Sequence, residues 1–198
     1  QGYDEALAAF EASRAALDID YVDLYLIHWP VPSKGLYVET WRAFEKLLAD
    51  GAVRSIGVSN FLPEHLERLL AETDVVPAVN QIEVHPTFQQ SELVRVSRDA
   101  GIAVEAYSPL GRGADLESDE VTSIAQAHGV TPAQVVLRWH LQQDTIVIPK
   151  SNNPERIAAN LDVFGFELSA DQVAQIDALE AGNRTGADPA TADFTQMR

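Results

Sequence analysis

Residues 21–28 read YVDLYLIH, a run dense in β-branched, aromatic and apolar side chains and halted by Pro30 and Pro32. That composition predicts a strand. Outward from it, the chain alternates element types. Residues 4–17 carry apolar side chains at helical spacing. Residues 38–50 are helical and end at Gly51, a favourable position after a helix. Strands are expected at 53–58, 78–82, 102–107 and 145–148. Helices are expected at 63–72, 91–100, 120–128, 132–142, 154–161 and 170–179. Thr131 and Ser169 have the character of N-caps. One helix followed by five strands, each trailed by one or two helices, calls for a parallel sheet with helices packed outside. Right-handed crossovers leave two solutions, an open doubly wound sheet or a (β/α) barrel. No G-x-G-x-x-G follows a first strand, so the dinucleotide-binding open sheet loses support. The barrel gains it from polar residues placed just after strands, at the end where barrels carry their active sites.

The composition narrows the function. The chain has 198 residues, 46% of them hydrophobic, which suits one globular domain over 1–198 with a tail over 181–198. Its 30 acidic and 14 basic residues give a formal charge of −16. Such a surface repels nucleic acid and anionic lipid. No apolar run is long enough to span a bilayer. Cysteine is absent, so disulfides, thiolate metal sites and cysteine nucleophiles are all excluded. A cytoplasmic protein is expected, and its histidines, three of them within helical segments at no ligand spacing, mark no metal site. Lysine occurs only at 34, 46 and 150, so any gathering of basic residues at a helix start stands out.

The strongest such cluster is Lys150-Ser151-Asn152-Asn153 with Arg156, at the start of a helix. Free N–H groups and the helix dipole favour anions there. Lysine adds a point charge and arginine a fork suited to phosphate. His28 ends the first strand and can donate to an oxygen on which charge develops. Ser59, Asn60 and Gln81 end the next two strands. Side-chain amides there can pair with a carboxamide, although capping of the following helix explains Ser59-Asn60 equally well. His65, His128 and His140 have structural readings, and His85 has no evident proton-transfer partner. Glu83 and Asp23 could pair only if the fold joined two distant strands.

Five stretches carry a resemblance: DYVDLYLIHWP at 20–30, GAVRSIGVSNF at 51–61, NQIEVHP at 80–86, AYSPLGRG at 106–113 and IPKSNNPERIAAN at 148–160. In this order and spacing the chain resembles the aldo-keto reductases. The tail GNRTGADPATADF at 182–194 is most similar to bacterial members of the 2,5-diketo-D-gluconate reductase type. The resemblance implies a (β/α)8 TIM barrel that reduces a small aldehyde, ketone or keto-sugar with NADPH. It implies that His28 orients the carbonyl and Trp29 lines the substrate pocket. Ser59, Asn60 and Gln81 would fix the nicotinamide amide, and Tyr107 would stack on its ring. Ser108 and Leu110 would follow the cofactor, Lys150, Ser151, Asn152, Asn153 and Arg156 would grip its 2′-phosphate, and Asn160 would contact the adenine. Ala159 departs from the glutamate that many relatives carry.

A barrel has eight strands and five are read here, so the first three units, roughly 90 residues, are expected to be missing. The family's catalytic aspartate, tyrosine and lysine have no match in this chain. The chain by itself is therefore expected to be inactive, an alternative being a truncated barrel that binds nucleotide or another chain. The intact protein is expected to be a monomer, and a truncated one to associate through its bare edge.

Overall fold

In a computed structural model, residues 1–193 are described and fall into two compact units. The first comprises residues 1–81, 93–103 and 187 onward; the second comprises 82–92 and 104–186. The last residues of the expected tail, 194–198, lie outside the described part.

In the first unit, α1 (Tyr3–Leu17), β1 (Val22–Ile27), α2 (Tyr37–Ala49), β2 (Val53–Ser59) and α3 (Pro63–Glu72) lead into β3 (Val79–Glu83), and α4 (Ser91–Asp99) follows. β1 and β2 run parallel, from Val22 opposite Val53 to Ile27 opposite Val58. β3 continues the parallel order with Asn80 opposite Val58 and Gln81 opposite Ser59. Gly57 lies between flanking side chains, where a Cβ would fall 2.7 Å from Leu26 Cδ2 and 2.9 Å from Val79. Only glycine lets the strands meet there. The core of the unit is aromatic and branched, with Phe10, Trp41, Ile56, Phe61 and Leu69 fully buried. Trp41 Nε1 donates to the Val75 carbonyl at 3.1 Å, which satisfies the one polar atom of a buried indole.

In the second unit, β4 (Ala103–Tyr107) pairs in parallel with β5 (Ile146–Val147), Glu105 opposite Ile146 and Ala106 opposite Val147. A 3₁₀ segment (Gly111–Glu117), α5 (Asp119–His128) and α6 (Pro132–Gln142) lie between these strands, and α7 (Pro154–Leu161) and α8 (Ala170–Asp177) follow. Val121, Ile124, Val136, Trp139, Leu168 and Ile176 form the core, and Trp139 Nε1 donates to Asp177 Oδ1 at 2.8 Å. Thr131 and Ser169 are N-caps, each exchanging hydrogen bonds with a glutamine three residues on.

The structure corrects two sequence readings. The last strand is two residues long, because the Thr145 N–H turns back to the His140 carbonyl. The 3₁₀ segment was not expected from the sequence. Arg112 (φ 54°) and Gly113 (φ 99°) interrupt it, so no helical period marks it.

Candidate active site

In the first unit, the ends of β1, β2 and β3 are tied by side chains. Ser59 Oγ donates to the Gln81 carbonyl at 2.8 Å. Asn60 Nδ2 donates to the His28 carbonyl at 2.9 Å and to Ser59 Oγ at 3.1 Å. Asn60 sits at φ 61°, in the left-handed region that asparagine tolerates better than most residues. Ser59 and Asn60 do not cap α3: its N-cap is Leu62, whose N–H donates to His65 Nδ1 at 3.1 Å. The capping explanation of Ser59-Asn60 is thereby corrected. The His28 side chain is exposed and its ring meets that of Trp29 edge-on, centroids 6.1 Å apart. Both line a shallow cavity of about 300 Å³ with Tyr25, Val31 and Thr40.

The second unit holds a larger cavity of about 660 Å³. Six of the residues singled out from sequence line it: Ser108, Leu110, Lys150, Ser151, Arg156 and Asn160. Tyr107, Asn152 and Asn153 are not among the lining residues. Asn153 caps α7, its Oδ1 accepting the N–H groups of Glu155 at 2.8 Å and Arg156 at 3.2 Å. Arg112 also lines the cavity and was missed in the sequence. Asking which basic residues follow a strand end would have found it in AYSPLGRG. Three of the chain's 14 basic residues thus surround one cavity in a protein of charge −16. Its volume lies within the usual range for small-molecule sites. Cationic side chains at a helix start, around a largely apolar wall that includes Leu110, Leu116 and Ile148, fit a phosphorylated nucleotide with a flat base.

Tyr107 is half-buried, and its pKa is pushed up to about 12, first by burial and then by the charge of Glu83. It therefore stays a neutral phenol across ordinary pH and is a weak general acid.

His85 does have partners, and this corrects the sequence reading. Its Nδ1 lies 2.7 Å from Asp115 Oδ2 and its Nε2 3.3 Å from Glu83 Oε1. Burial pulls the imidazole pKa down, but Asp115 and then Glu83 overcome this and hold it above its ordinary value. Burial likewise pushes Glu83 and Asp115 up. Hydrogen bonds from Thr185 and Gly186 to Glu83, and from His85 and Thr87 to Asp115, leave both carboxyls below their usual values. The spacing of Glu83 and His85, two apart on an extended chain, places them on one side and was a usable signal. Asp115 could not be added without knowing the 3₁₀ segment. Asp23 pairs instead with Arg54 at 2.8 Å. His65, His128 and His140 have the structural roles expected; His140 Nε2 lies 3.1 Å from the Pro109 carbonyl, and burial drives the His140 pKa down to about 4. No helix among the described residues is long and apolar enough to cross a membrane.

Parallel strands joined by helices in each unit, with a cavity ringed by cations after the strand ends of the second, define an α/β scaffold of the kind that carries active sites there. The particular family follows from comparison with known proteins. The model of the aldo/keto reductase family matches residues 2–181, and the chain belongs to that family. It is 58% identical over 195 residues to an aldo-keto reductase of Mycolicibacterium smegmatis, covering 98% of this chain and 71% of that one. It is 50% identical over 209 residues to the morphine 6-dehydrogenase of Pseudomonas putida, covering 99% of this chain and 71% of that one. A crystal structure of a Gox0644 mutant in complex with NADPH matches with a TM-score of 0.95 and 54% identity, covering 98% of this chain and 72% of that one.

Proposed function

We propose that the protein takes part in NADPH-dependent reduction of a small aldehyde, ketone or keto-sugar to its alcohol. The observation that carries this reading is the placement of Lys150, Arg156 and Arg112 around one cavity beside the start of α7. A 2′-phosphate carries charge that NADH lacks, and a lysine with an arginine fork recognises it. Ser151 and Asn160 share the cavity and supply polar contacts to the phosphate and the adenine. Asn153 works one step back, fixing the first turn of α7 so that Arg156 leaves the helix at a set point. The bound nicotinamide would supply the hydride.

Ser59 and Asn60 hold the ends of β1, β2 and β3 together and so set the backbone of His28 and Gln81, which face the nicotinamide and the carbonyl in this reading. Tyr107, held neutral, offers a flat face for offset stacking, worth about 1 kcal/mol beyond burial. His28 donates to the carbonyl oxygen as charge develops there, and Trp29 supplies an apolar wall. The family's proton-donating tyrosine has no match in this chain, so cofactor binding is read before turnover. An inactive fragment is not favoured, since a relative half identical to this chain is named for a dehydrogenase activity. A cytoplasmic location suits a cysteine-free chain.

The test is a nicotinamide-fluorescence titration with NADPH and NADH, followed by an aldehyde and ketone screen. Arg156→Ala is expected to weaken NADPH roughly tenfold more than NADH, the scale of one charge-assisted hydrogen bond. Equal weakening of both would overturn the phosphate assignment. Failure to bind either would overturn the reading as a whole.

A further inference from the structure

A buried charged row, Glu83–His85–Asp115, runs through the second unit, and no role assigned above uses it. The three side chains are at most 3% exposed. Both ring nitrogens of His85 face carboxylate oxygens, so a ring that satisfies both is an imidazolium with two N–H donors. Among the described residues no group is arranged to hold a metal, and the oxygens of this row are taken up by protein donors.

Each carboxylate closes on a different segment. Asp115 belongs to the 3₁₀ segment whose Arg112, Gly113 and Leu116 line the large cavity. It also accepts the Thr87 hydroxyl at 2.8 Å and the Thr87 N–H at 3.3 Å. Glu83 accepts the N–H and hydroxyl of Thr185 and the N–H of Gly186, the last at 2.9 Å. A glycine stands at both ends. A Cβ on Gly111 would fall 2.5 Å from the Asp115 carboxylate, and one on Gly186 would fall 2.7 Å from Glu83 Oε2. The cavity loop and the tail thus each press bare backbone onto one end of the same row.

We propose that this row is a positioning device that couples the tail at 182–186 to the cavity loop at 110–116, so that the seating of the tail sets nucleotide affinity. A Glu83 that loses its tail donors is a buried carboxylate short of partners, which is costly. It regains them only by drawing on His85, and the Asp115 end then loosens with the Arg112-bearing loop. Polar networks in a low dielectric respond as units in this way. The part concerning affinity rests on the reading of the cavity as the NADPH site.

The test uses Gly186→Ala, which strikes Glu83 from the tail side, and the milder Thr185→Val, which removes one donor and keeps both N–H groups. Amide hydrogen exchange of the peptide spanning 110–117 is measured without cofactor, and NADPH is then titrated. Faster exchange in that peptide is expected in both variants, larger for Gly186→Ala. NADPH affinity should fall at least about fivefold for Gly186→Ala, the lower end of ordinary coupling between sites. Exchange changes confined to the tail, with 110–117 as in the wild type, would overturn the coupling. Propagated exchange with unaltered NADPH affinity would overturn its link to the cofactor. Failure of the wild type to bind NADPH would strike the functional reading alone, since the exchange measurement still decides the coupling.

Discussion

The side-chain amide of Asn60 donates to the main-chain carbonyl of His28 at 2.9 Å, joining the end of β2 to the end of β1. Asn60 is buried and left-handed at φ 61°. Two costs therefore fall on its replacement. Asn60→Ala loses buried hydrogen bonds and places an ordinary side chain at positive φ, together about 2–3 kcal/mol. Asn60→Gly loses the same bonds without the strain. Urea denaturation should rank wild type above Asn60→Gly above Asn60→Ala, the two variants separated by about 1 kcal/mol. Equal stability of the two variants would mean that the backbone there carries no strain.

Gly111 and Gly51 allow a similar separation. Both have positive φ, 55° and 73°. A Cβ on Gly51 meets nothing within 4 Å, whereas one on Gly111 meets the Asp115 carboxylate at 2.5 Å. Alanine at Gly51 should cost about 1 kcal/mol, the left-handed penalty alone. At Gly111 the overlap adds to it, for about 2–4 kcal/mol in all, or a melting-temperature loss of very roughly 10 °C in a chain of this size. Calorimetry that found the two alanine variants alike would remove the contact between Gly111 and Asp115 from the account.

How much of this was legible in sequence differs from element to element. The strand at 21–28 and the helices at 63–72 and 154–161 announce themselves, because apolar periodicity and proline stops act locally. The cationic cluster at 150–156 was legible for a similar reason: its residues are neighbours in sequence, and an acidic chain makes them conspicuous. Arg112 was hidden by an irregular segment with two positive-φ residues, where no period exists to read. The Glu83–His85–Asp115 row was half legible. Its first two members share a face of an extended chain, but the third arrives from thirty residues on and the tail from a hundred. The bond from Asn60 to the preceding strand's main chain was not legible, because it depends on the sheet register.

The row also makes stability depend on pH in a defined window. The His85 pKa is raised, so its stabilising contribution is full below its ordinary value of 6.5 and is lost as pH rises through the folded value. The pKa values of Asp115 and Glu83 are lowered, so their contributions are full above the ordinary values of 3.8 and 4.5 and are lost as pH falls through the folded ones. The row is therefore strongest between 4.5 and 6.5. Other groups bear on it: Tyr107 interacts with Glu83 and, separately, with Arg184 and Arg112, and His140 interacts with His85 and Asp115. His140 opposes the trend. Held neutral with a pKa of about 4, it withdraws stability as pH falls below 6.5. Burial, the first cause, acts on His140 in the wild type and in His85→Gln alike and only the lesser push from the His85 charge is lost, so most of that slope cancels in their difference. The melting-temperature gap should be widest between 4.5 and 6.5 and narrow above it. A gap that stays constant with pH would show that His85 is not charged in the fold.

Arg112 offers the most direct check on the cavity. It is exposed on an irregular loop, and no ion pair among the described residues holds it to the fold, so Arg112→Ala should leave stability within about 0.5 kcal/mol of the wild type. It nevertheless shares the cavity with Lys150 and Arg156. If the three cations act together on the phosphates of one nucleotide, Arg112→Ala weakens NADPH by roughly tenfold, the worth of one charge-assisted contact. It should also flatten the fall of affinity with added salt, because one fewer cation is screened. Unlike Arg156, Arg112 lies off the helix start, on the loop that follows β4. Its loss should therefore weaken NADH as well, if it reaches the phosphates common to both cofactors. A titration in which NADH is untouched and only NADPH suffers would move Arg112 to the 2′-phosphate; one in which neither changes would take it out of the site.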